Sequence, residues 1–131
     1  MKLLLDTHIW VWCQVEPERL GRRVRAALTD PKSELWLSPV SVWELLLLVE
    51  RGRIVVAGDG VGWVEMALAR APMKDAPLTR EVAARSRALA LPHEDPADRF
   101  IAATAAVYEL TLVTADPRLL AGKGYRTMTN R

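Results

Sequence analysis

The chain has 131 residues, half of them hydrophobic, with 18 Lys and Arg against 16 Asp and Glu and a formal net charge of +2. That length suits one domain over residues 1–131 with a core of its own, and the lone Cys13 excludes an internal disulfide and any Cys-cluster zinc site. The longest aliphatic run, Leu45 to Val49, is far too short to cross a membrane, and no basic stretch with a cleavage site opens the chain, so the expectation is a soluble cytoplasmic protein with no membrane contact.

The first element is the run Leu3-Leu4-Leu5, too short for a helix and apolar on both faces. It predicts a central strand of a parallel sheet, ending abruptly in Asp6. THIWVWCQ continues as a short helix, with Trp10, Trp12 and His8 expected in or near the core. Pro17 opens a second helix, in which Leu20, Val24 and Leu28 step by four along one face. Asp30 to Ser33 turn the chain into a strand at Glu34 to Leu37. Ser38-Pro39 then leads into VSVWELLLLVERG, a helix expected to be deeply buried, with Trp43 inside, and closed by Gly52.

After a short extended piece at Arg53 to Ala57 and a loose stretch at Gly58 to Gly62, a helix is predicted from Trp63 to Ala71. Met73 to Leu78 holds a short extended segment. Thr79 caps REVAARSRALA, and His93 lies in the loop that follows. Asp95-Pro96 opens a helix through Glu109, Thr111 to Thr114 form another buried strand, Arg118 to Leu120 make one helical turn, and YRTMT is a last strand. Strands alternating with helices give an α/β fold with a mostly parallel sheet.

Four acids occupy analogous places. Asp6 and Asp116 follow strands, Glu44 lies in the first turns of the helix after the second strand, and Asp98 lies in the first turn of the helix opened by Asp95. Each has a cap reading: Asp6, Asp95 and Asp116 as N-caps, Glu44 as the acid of a capping box with Ser41, and Asp98 beside the helix dipole. Right-handed crossovers, however, bring every strand's carboxyl end to one edge. Asp6, Glu44 and Asp116 therefore share that edge, while Asp98 is less constrained.

Two carboxylates about 5 Å apart repel by roughly 3 kcal/mol at an effective dielectric near 20, so a converging set needs a cation. Oxygen-only ligands suit Mg²⁺ or Mn²⁺, and such a centre suits phosphodiester hydrolysis. Eighteen bases would then face the remaining twelve acids, and fourteen of the eighteen are Arg, with its planar fork for phosphate.

LLLDTHIWVW, LSPVSVWELLLLVERGRI, HEDPADRFIAATA and LVTADPRL, in that order, resemble a PIN domain and, within that superfamily, the VapC-type ribonuclease toxins of bacterial toxin–antitoxin pairs. The resemblance implies a three-layer α/β/α sandwich with a mostly parallel sheet of about five strands. It implies a metal-dependent endoribonuclease using Mg²⁺ or Mn²⁺, an RNA substrate, a small antitoxin partner and a homodimer. Carried over by motif, Asp6 and Asp98 are metal ligands, with Glu44 and Asp116 completing the acidic catalytic pocket. Thr114, Thr7, Asp95 and Arg99 are supporting or substrate-near, Arg99 either touching phosphate or lying in a surface salt bridge. Two other classes compete. One is an Asp-based phosphoacceptor or phosphatase, for which His8 stands where the phosphatase pattern wants a second Asp. The other is a non-catalytic binding module of the same fold.

Overall fold

The computed structural model describes all 131 residues. Lys2–Leu5 form strand β1, and the alternation of its side chains puts Leu3 and Leu5 into one apolar cluster and Leu4 into another, all three fully buried. A strand buried on both faces must be central, and it is: the sheet order is β3-β2-β1-β4-β5, with β2 at Glu34–Leu37, β3 at Lys74–Asp75, β4 at Thr111–Thr114 and β5 at Arg126–Thr129. All four pairings are parallel, with Leu3 opposite Leu35 on one side and Thr111 on the other.

Helices cover both faces, as a parallel sheet requires. Thr7–Val15 (α1), Arg22–Thr29 (α2), Pro39–Glu50 (α3) and Gly60–Arg70 (α4) supply Ile9, Val24, Leu45 and Trp63 to the cluster around Leu3 and Leu5. On the other face Pro96–Val107 (α6) supplies Ile101 and Ala105, and the short Pro117–Leu120 (α7) supplies Leu119, to the cluster around Leu4. Arg80–Ala88 (α5) buries Val82 and Ser86. This is the three-layer sandwich expected, with seven helices around five strands. No helix is long and apolar enough to cross a membrane.

Three expectations are corrected by local structure. The helix predicted from Pro17 is broken: Pro17–Arg19 make one 3₁₀ turn, Leu20 is extended and buried, and α2 restarts after Gly21. Gly21 is needed because the chain end lies on it; a Cβ there would sit 1.7 Å from the carbonyl carbon of Arg131. Asn130 Oδ1 accepts from the Gly21 N–H at 2.8 Å.

The capping box at Ser41 and Glu44 does not form, because α3 begins earlier, at Pro39. Ser38 is its N-cap, accepting from the Val40 N–H at 3.0 Å. Glu44 is thereby released from capping. Finally, α3 is not sunk in the core: Leu45 is fully buried, Leu46 to Val49 are half-buried, and Trp43 is 56% exposed. The helix crosses the mouth of a cavity, so its apolar side chains are shared between core and rim.

Candidate active site

The chain runs from β1 outward to β2 and β3, then returns to place β4 on the opposite side of β1. The order reverses between β1 and β4, the place where open α/β sheets leave a crevice at the carboxyl ends of their strands. Asp6 leaves β1 at that point, its N–H bonded to the Val113 carbonyl at 3.0 Å. Thr114, the last residue of β4, is its neighbour. The Thr114 hydroxyl donates to Asp6 Oδ2 at 2.7 Å and accepts from the Asp116 N–H at 3.0 Å. One fully buried hydroxyl thus ties two acids from two strands.

Two helices bring the others. Released from capping, Glu44 projects from the second turn of α3. Asp95 caps α6 through its Oδ1, which accepts from the Asp98 N–H at 3.2 Å, and this fixes Asp98 on the first turn. Carboxylate oxygens of Asp6, Glu44 and Asp98 all lie within 4.8 Å of one another. A second group, His93, Asp98 and Asp116, meets the same limit, so Asp98 belongs to both. All of these acids, with Asp95, line a cavity of about 620 Å³ rimmed by Arg51, Arg53 and Arg118. Asp98, the acid least constrained in sequence, is the one common to both groups.

Electrostatics divides the set. Burial pushes the Asp6 carboxyl up, against the hydrogen bonds from Thr114 and the Thr7 N–H that favour its charged form. Burial likewise raises Glu44. Asp98 is pushed up to about 7, by burial first, with the neighbouring carboxylates adding to it and the His93 hydrogen bond opposing. Asp116 goes the other way. Its partial burial is outweighed by Arg118, which donates to it from Nε, from its guanidinium and from its backbone N–H, and holds it low.

Asp6 and Glu44 have no basic side chain paired with them, and Asp98 has only His93, at 2.6 Å. Both Asp6 oxygens are engaged, Oδ1 by the Thr7 N–H at 2.8 Å and Oδ2 by Thr114. Each oxygen keeps a further lone pair, so these bonds fix the orientation of the Asp6 carboxylate without closing it to a ligand. Thr7 itself is fully buried under the pocket, its hydroxyl donating to Ser41 Oγ at 3.0 Å.

Several residues are not where the sequence suggested. Arg99 neither faces substrate nor makes a surface ion pair. It is buried, and its guanidinium donates to the carbonyls of Ser86 (2.8 Å), Leu89, Leu91 and His93 (each 3.0 Å). Carbonyls take the place of a counter-ion and the planar fork organises residues 89 to 93. That loop presents the His93 ring to Asp98, a role the sequence signalled only by proximity to Asp95 and Asp98. His8, expected near the core, is exposed and lines the cavity, as does Trp43.

This geometry agrees with what the chain is similar to. A family model described as PIN domain matches residues 3–123. Over 130 residues the chain is 35% identical to a protein named Ribonuclease VapC22 from Mycobacterium tuberculosis (strain ATCC 25618 / H37Rv), covering 97% of this chain and 96% of that protein. Among solved structures, FitAcB from Neisseria gonorrhoeae superposes with a TM-score of 0.62 at 26% identity, over 98% of this chain and 97% of that one. VapBC2 from Rickettsia felis, bound to a DNA fragment from its promoter, superposes with a TM-score of 0.72 at 15% identity and 98% coverage of both chains, a likeness of fold alone.

Proposed function

Because the chain belongs to the PIN domain family, we propose that it is an endoribonuclease, the toxin of a toxin–antitoxin pair, acting at the carboxyl-edge pocket. One observation carries this reading. Asp6, Glu44 and Asp98, from three separate elements, bring carboxylate oxygens within 4.8 Å of one another with no Lys or Arg to neutralise them. Such a set is costly unless it is protonated or holds a cation.

An all-oxygen donor set of this size fits a hard divalent ion, Mg²⁺ or Mn²⁺. Asp6, Asp98 and Glu44 would hold it, with Asp116 completing the pocket. A bound divalent ion supplies a water of lowered pKa and screens the charge that develops on phosphate. The chain's own residues do the rest. Thr114 fixes Asp6 by occupying Oδ2, and Asp95 fixes Asp98 through its backbone. Glu44 and Asp116, which line the same cavity, would orient the attacking water. Arg51, Arg53 and Arg118 at the rim attract the phosphates of an RNA strand.

A small antitoxin is the partner this reading requires, the protein working in the cytoplasm as a homodimer and the chain forming one nuclease unit. Isothermal titration with MgCl₂ and MnCl₂, alongside cleavage of total RNA, tests the centre. Wild-type protein is expected to bind one of the ions and cleave only in its presence, whereas Asp98→Asn loses both. RNA cleavage that persists undiminished in chelator would overturn the metal reading.

A further inference from the structure

The acidic cavity does not end at the carboxylates. A second cavity, about 540 Å³, continues from it along α1, and the two share His8, Trp12 and Arg53 as walls. The reason lies in helix geometry. Asp6 caps α1, and His8 and Trp12 follow at a spacing of four, so they stand on one face, about 6 Å apart along the axis. Their rings lie 6.0 Å apart and tilted. Arg19 adds a planar cation 4.4 Å above the Trp12 ring. Arg53 lines both cavities and Arg51 the acidic one; both are exposed and neither is in an ion pair, although five carboxylates line that acidic cavity.

We propose that this groove is a nucleobase subsite, in which the base next to the scissile phosphate stacks on Trp12 with the tilted His8 ring against its edge, while Arg51 and Arg53 hold the flanking phosphates. The proposal rests on the endoribonuclease reading and adds the part of the substrate that the carboxylates cannot read. Aromatic faces with interleaved Arg are what single-stranded nucleic acid uses, because every base has a π-face and every residue a phosphate.

Two features favour a base over more backbone at the far end. Glu16 lies there and repels phosphate. Arg19 already lies on Trp12 as a flat, exposed cation, held by Glu16 only at 4.0 Å, so a base can take its place or extend the stack. Rigidity comes without further cost, since α1 is anchored by the fully buried Ile9 and Trp10 on its opposite face.

The experiment is steady-state cleavage of an oligoribonucleotide chosen from the cleaved members of a randomised pool, and of the same strand with single abasic residues flanking the cut. Trp12→Leu is expected to raise KM about tenfold with a smaller effect on kcat. His8→Ala and Arg53→Ala, both at exposed positions that do not threaten the fold, should raise KM severalfold. Arg23→Ala, on a different surface, serves as the control for charge alone.

One abasic position should raise KM for the wild type and add nothing in Trp12→Leu, a coupling that a general loss of stability does not produce. If the wild type cleaves but no abasic position couples to Trp12, and the His8 and Arg53 variants match the Arg23 control, the subsite is wrong and the nuclease reading stands. If the wild type cleaves no member of the pool, the nuclease reading fails and the subsite with it.

Discussion

Asp6 and Asp116 begin as equals. Each directly or nearly follows a central strand, each caps a helix through its Oδ1, and one Thr114 hydroxyl touches both residues. Their electrostatics are nonetheless opposite. Asp6 is 6% exposed with no basic partner and is pushed up by burial, whereas Asp116 has Arg118 at 3.2 Å and ends low. Capping uses one oxygen and says nothing about where the charge is balanced. At Asp116 the chain supplies the cation from two residues away. At Asp6 and Glu44 none is supplied, and Asp98 has only the His93 ring; that deficit is what the proposed divalent ion would offset.

The most drastic way to break this contrast is to neutralise the two acids in turn. Asp6→Asn keeps the cap, since an amide oxygen still accepts from the Thr7 N–H, and removes the charge. Cleavage is expected to fall by more than the roughly 100-fold typical of changes outside the ligand shell, with an unchanged circular dichroism spectrum. Asp116→Asn should cost distinctly less. Equal losses in the two variants would erase the distinction between an uncompensated and a compensated acid. Thr114→Val comes next. It keeps shape but removes the hydroxyl that holds Asp6 Oδ2 and receives the Asp116 N–H, so ion affinity measured calorimetrically should fall about 10- to 100-fold.

A pH experiment reads the same deficit without any substrate. In chelator, the folded chain holds a proton on Asp98 up to pH about 7, whereas the unfolded chain releases it near pH 4. The folded state therefore binds more protons in this window, and the contribution of Asp98 to stability is full below about pH 4 and is lost as pH rises through about 7. The difference in Tm between wild type and Asp98→Asn should change over that window in favour of the variant at high pH. Saturating divalent ion should remove most of the slope. A flat difference would mean that Asp98 is not the acid carrying the proton.

How much of this was legible beforehand follows from which forces are local. Leu3 to Leu5 announce a two-sided strand because alternation fails over three residues, and the parallel order then sends Asp6, Glu44 and Asp116 to one edge. Asp95 and Asp98 are legible as cap and first-turn acid because that contact spans three residues. Arg99 is not, since its four carbonyl partners are Ser86 of α5 and three residues of the loop after it, whose path depends on α5 packing against α6. Nor is Trp43, because a helix apolar on all sides reads the same whether it lies in the core or across a cavity mouth. The Ser41 capping box misled for a related reason: Ser38-Pro39 offered an earlier start, and Pro at a first helical position settles the competition.

The smallest effect is the most discriminating, because it works by removing a cation instead of an acid. Arg118 is exposed, and its pair with Asp116 is a weak one, screened by solvent. In Arg118→Ala the Asp116 carboxylate loses its internal partner and joins the uncompensated set, and one positive charge leaves the rim. Both changes favour an external divalent ion, so ion affinity should increase, by about fivefold at most for so exposed a pair. RNA affinity should move the other way, since a phosphate contact is lost, and salt dependence of binding should weaken slightly. If Arg118→Ala instead weakened the ion, Arg118 would be holding Asp116 in position for it, and the two acids would be partners in one site, not opposites.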